Sequence, residues 1–177
     1  MSSMLSPVDV YLPDLFPCEK SILRFISPFA FANIGIALCI FLSVLGASTG
    51  IVMTGVSLLG AGIKNPRVRS RNLISIIFCE AVAIFGVIIG ILFINKEEFA
   101  DEMDCYSVVT TSYAIFFGCL TAGLTNLVCG IAIGKVGSSC VVADAFNEQL
   151  FVKVFIVEVF ASAFSIFGFI VSGMIFV

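Results

Sequence analysis

Four stretches of this 177-residue chain carry almost no charge over lengths greater than a bilayer's hydrocarbon core demands. They cover about residues 25–63, 72–94, 107–134 and 151–177. A helix crosses that core with about 20 apolar residues rising 1.5 Å each, and every stretch exceeds this. In hydrocarbon the backbone must satisfy its own hydrogen bonds, which leaves only helices and closed barrel strands. Runs this long, without inside–outside alternation, are helices. The expected fold is an all-α membrane protein with four transmembrane helices.

Composition agrees. The chain is 60% hydrophobic and 12% charged, too few charges to cover a soluble domain. A net charge of −3 with few basic residues argues against a nucleic-acid partner. Histidine is absent, so the usual side chain for titration near neutrality is missing. The seven cysteines form no CxxC or Cys/His cluster and read as small packing residues rather than metal ligands. Cys18 and Cys105 lie outside the spans and could pair. The Gly-Lys of "GIAIGKVG" is not a phosphate loop: three residues separate Gly130 from Gly134, and Val136 follows Lys135. No metal, cofactor or catalytic residue is expected.

The connections set an orientation. Lys64, Arg67, Arg69 and Arg71 crowd the first loop, 64–71, whereas the segment "NKEEFADEMDCY" is acidic. The positive-inside rule makes the basic loop cytoplasmic and the acidic one lumenal. The third connection, "GKVGSSCVVADAFNEQ", is then a second cytoplasmic loop. The expected organisation is a polar tail (1–24), a first helical hairpin (25–95), a lumenal loop (96–106) and a second hairpin (107–177). The tail, with Pro7, Pro13 and Pro17, does not read as a signal peptide.

The hairpins repeat. "GVSLLGAG" (55–62) aligns with "GIAIGKVG" (130–137) at an offset of 75, and Glu80 aligns with Glu158 at 78. A parallel duplication is the simplest account. Small residues recur every four positions at Gly118, Ala122, Asn126, Gly130 and Gly134, and at Gly46, Gly50 and Thr54. That spacing lines one helix face and lets backbones approach closely. Such seams on the first helix of both hairpins fit a ring of hairpins better than an isolated bundle.

The two acids interrupt the second helix of each hairpin. A charged side chain at the bilayer centre costs about 2.5–3.5 kcal/mol on insertion scales. Glu80 lies nine residues past Arg71, roughly 13 Å along a helix, and Glu158 lies ten past Glu148, at an expected similar depth. Neither has a cationic partner in its own span, and Lys153 is off the face of Glu158. Each acid is expected to hold a proton and to release it only beside a cation brought by another subunit. The alternative is a permanently protonated packing group.

These residues carry a family resemblance. "GAGIKNPRVRSR" with "NLISIIFCEAVAIFG", and "LFVKVFIVEVFASAFSIFG" in the second half, resemble the proteolipid ring subunits of the vacuolar-type proton-pumping ATPase. The resemblance runs from about residue 27 to the C-terminus and is strongest to the c-double-prime type, in which both hairpins bear the acid. It implies a ring of proteolipids in membrane lipid, a stator a-type subunit supplying an arginine and two half-channels, and a central-stalk d-type subunit. The transported ion is H+, and ATP hydrolysis belongs to a separate soluble sector. It also implies a multi-pass protein of the vacuolar, endomembrane or plasma membrane. Glu80 sits in the family's compact pattern "EAVAIFG" and is the principal proton site. At Glu158 the "IFG" arrives four residues later, about one helical turn, which makes it accessory. The segment 1–24 is too short and polar to supply the extra first helix of some members. An ordinary c-type proteolipid and a non-transporting four-span scaffold or junctional protein remain the alternatives. A sodium-coupled ring would need oxygen ligands, and only Ser75 and Ser162 lie near the acids on their helices.

Overall fold

In the computed structural model, residues 28–98 and 105–175 are described, and they form five helices. These are α1 (Pro28–Lys64), a short α2 (Pro66–Arg71), α3 (Leu73–Glu98), α4 (Cys105–Phe146) and α5 (Leu150–Met174). The polar tail, the Cys18–Cys105 pairing and most of the acidic loop fall outside the described residues. Helices α1, α4 and α5 are long and apolar enough to cross a membrane, as is the stretch Pro66–Asn95, which takes in α2 and most of α3.

The helices pack in two layers. α1 and α4 form the central pair, α3 lies against α1, α5 lies against α4, and α3 and α5 touch along their length. Phe78 of α3 meets Phe155 of α5 with ring centroids 5.8 Å apart, and Phe85 meets Phe169 at 6.4 Å.

Small residues make the α1–α4 contact possible. A Cβ built on Gly134 would lie 2.5 Å from Gly50 Cα, and one on Gly46 would lie 2.7 Å from Leu127 Cα. A Cβ on Gly130 would run into the backbone of Gly46. The seam therefore joins the first helices of the chain's own two hairpins. Ala122 is fully buried with Cys39 and Cys119 at the loop-distal end. Gly118 lies off the tightest contact, its nearest neighbour being Ser172 Oγ at 3.5 Å from a built Cβ.

One expectation needs correction. The segment 134–146 is not a loop, because α4 runs on to Phe146. Its Val141 packs with Leu58 and Val68, Ser138 and Ser139 donate back to Lys135 O, and only residues 147–149 break the helix. Across the α1–α4 contact Gly46 meets Gly130 and Gly50 meets Gly134.

α5 is turned inside out relative to a soluble helix. Its buried residues are Glu158, Ser165, Gly168 and Ser172, while Phe160, Phe164 and Phe167 are exposed. In lipid that polarity is correct, because the apolar face meets hydrocarbon while Glu158 and Ser165 bond to neighbouring helices.

Candidate functional site

The fold separates the two acids. Glu80 stands on the outer face of α3 and is exposed. One turn to either side, Ile77 and Ile84 are 61% and 52% exposed, so Glu80 is the carboxyl in an otherwise apolar stripe facing away from the bundle. Its helix neighbours Cys79 and Val82 point inward and are buried.

Glu158 is 0% exposed. Ser75 Oγ of α3 donates to Glu158 Oε2 at 2.8 Å, while Oε1 has no protein partner. Thr54 of α1 and Gly137 of α4 close the pocket. A Cβ on Gly137 would lie 3.1 Å from Thr54 Oγ1 and 3.3 Å from Glu158 Oε1. Among the described residues no ion pair reaches either acid, and Lys153 is exposed. Ser162 turns back to donate to Val159 O.

The acids are not level. Ser75 precedes Glu80 by five residues, about 7.5 Å of helix, so the Glu158 carboxyl lies nearer the loop end. The expected similar depth is corrected accordingly.

Two further polar clusters tie the hairpins together. Midway along the bundle, Asn126 donates to Ser43 Oγ at 3.0 Å and accepts from Ser165 at 2.6 Å. At the loop end, Asn72 donates to Asp144 Oδ2 at 3.1 Å, with both residues fully buried. Beside them, Arg67 and Arg71 grip the two oxygens of Glu148 at 2.5 and 2.6 Å. Arg67 first, and Arg71 second, hold the Glu148 carboxyl below the usual carboxylate range. Sequence reading missed Asn72, Asp144 and the Ser75 partner of Glu158. The available signal was the seven-residue spacing of Glu158, Ser165 and Ser172, which keeps polar groups on one face over two-turn steps.

Known proteins share this duplicated pattern. The ATP synthase C-subunit family matches the chain twice, over residues 34–93 and 116–175. The two matches begin and end 82 positions apart, the separation of Gly86 and Gly168 in the two "IFG" motifs. The chain is 48% identical to the c'' subunit of the V-type proton ATPase of Saccharomyces cerevisiae, over 82% of this chain and 69% of that one. It is 51% identical to the c''2 subunit of the V-type proton ATPase of Arabidopsis thaliana, over 82% and 83%. The 16 kDa proteolipid, or c subunit, of the V-type proton ATPase of Homo sapiens is 28% identical over 80% and 88%.

Proposed function

The chain belongs to the ATP synthase C-subunit family, and from that premise we propose that it is a c''-type proteolipid of a vacuolar-type ATPase, carrying protons on Glu80. It is a subunit of the proton-translocating membrane sector and does not itself hydrolyse ATP. The observation that carries the Glu80 reading is the exposure of that carboxyl within an apolar outer stripe. Facing lipid, it keeps its proton because a bare charge there is too costly. Beside a stator arginine the ionised form is favoured and the proton departs. A proton from the cytoplasmic half-channel then restores the neutral form for the next circuit.

Glu158 has no such exposure and acts as an accessory, internal hydrogen-bonding acid. Partners of the assembled sector are other proteolipids in the ring, the a-type stator subunit and the d-type central-stalk subunit, in a vacuolar or other endomembrane. The basic segment 64–71 faces the cytoplasm.

Glu80→Gln tests the reading. The amide keeps the size of the acid and cannot release a proton, so the ring should assemble while ATP-driven acidification of vesicles falls to background. Near-normal acidification in vesicles holding only this variant would overturn the Glu80 assignment.

A further inference from the structure

Three buried oxygens at the loop end of the bundle have no protein hydrogen-bond partner: Asp144 Oδ1, Asn72 Oδ1 and Glu158 Oε1. They belong to a connected set. Asn72 donates to Asp144 Oδ2, and three residues further on Ser75 donates to Glu158, a rise of about 4.5 Å. On α4 the buried positions Gly137, Cys140, Val141 and Asp144 line the same side. A buried polar oxygen left unpaired is costly, and three close together call for a shared remedy.

One end lies close to solvent. Arg67 Nη2 stands 3.9 Å from the fully buried Asp144 Oδ1 and its own side chain is 44% exposed, so one side chain separates the first member from water. The other end is shut by Cys79, Val82, Cys129 and Ile133, all buried. Beyond that apolar plug, the Asn126 cluster satisfies itself.

We propose that this row is a binding site for a short file of water molecules running from Arg67 and Asp144 to Glu158. It gives Glu158 proton exchange with the basic-loop side of the membrane alone. The site at the inner end is defined by Thr54 Oγ1 and Glu158 Oε1, which flank the bare Cα of Gly137. A water seated there has two polar partners, and the next water supplies a third, as buried waters require. Thr54 Oγ1 already donates to Gly50 O, so it accepts from the water. Cys79 and Cys140 complete the titratable groups around Glu158, together with Asp144 at the mouth. In the exchange step the Glu158 O–H bond breaks and its proton passes to the adjacent water. An equivalent proton passes from the outermost water to the Asp144 carboxylate or to bulk water. Electron pairs stay on oxygen, so no co-reactant is needed. The inference does not depend on Glu80 carrying protons.

The test uses the intact membrane sector with Glu80→Gln in this chain, so its outcome is separate from the pumping experiment. The infrared carbonyl band of protonated Glu158 is identified by subtraction against the added Glu158→Gln change. On transfer to D2O, that band should show its deuterium shift within the mixing time. Asn72→Leu, which fills the file, and Gly137→Ala, which places a methyl group at its inner end, should each slow the shift about tenfold or more, because exchange then waits on local opening of the bundle. Either variant that still assembles with the other proteolipids serves. The proposal is overturned if no protonated-carboxyl band depends on Glu158, if the parent band stays unshifted for hours, or if the filled variants exchange as fast as the parent.

Discussion

Glu80 and Glu158 carry the same carboxyl group in opposite surroundings, one exposed on the outer face and one buried. Carbodiimides attack protonated carboxyls in apolar settings, so they should label Glu80, which the bundle leaves open. Glu158, at 0% exposure, should be spared, and labelling should rise as pH falls. Peptide mapping that finds the label on Glu158, or only on Glu97 and Glu98, would contradict this division. At Glu158 the hydrogen bond from Ser75 needs an acceptor and not a charge. Glu158→Gln should therefore retain a substantial part of the pumping rate at equal amounts of assembled complex. Glu158→Ala, which strands the Ser75 hydroxyl and opens a cavity, should lower stability by about 2–4 kcal/mol. Equal loss of pumping in Glu80→Gln and Glu158→Gln would refute the ranking.

Among the elements, the α1–α4 seam makes the sharpest claim. Gly130→Ala drives a methyl group into the Gly46 backbone, where no side chain can yield, and should cost about 1–3 kcal/mol. At Gly55, where a built Cβ meets nothing within 4 Å, the same change should be neutral or stabilising through helix propensity. Thermal melting of the purified sector in detergent compares the two. Much of this level was legible in the sequence. The four spans follow from length and charge, and the four-residue glycine spacing marks the seam. What the sequence hid was direction. Window hydropathy cannot tell Glu80 from Glu158, because both lie in apolar runs and only the facing helices decide which turns inward. Asp144 was hidden for a related reason. In a stretch with Lys135, Ser138 and Ser139 it reads as a loop charge, yet it sits at full burial beside Asn72 because α4 continues beyond the expected end.

At the scale of the whole molecule, one exposed acid and two arginines add to the links between the hairpins at the loop end. Glu148 joins Arg67 and Arg71, linking the second hairpin's short turn to α2. Its folded carboxyl titrates below its ordinary value of 4.5. The stability it contributes is therefore fully present above that value and is lost as pH falls through the depressed one. Glu148→Gln should melt earlier than the parent at neutral pH, and the gap should close under strong acid. A gap that persists unchanged through acidification would rule out the ionic origin. α5 has a different consequence, for biogenesis. Its one buried face consists of Glu158, Ser165, Gly168 and Ser172, so its polar groups have no partners until the earlier helices stand in the membrane. Ser75, donor to Glu158, and Asn126, acceptor for Ser165, both leave the ribosome before α5 does. Synthesis order thus lets a preassembled three-span receptor receive the last helix. If α5 entered first, it would expose a carboxyl and two hydroxyls to lipid and bear their desolvation alone.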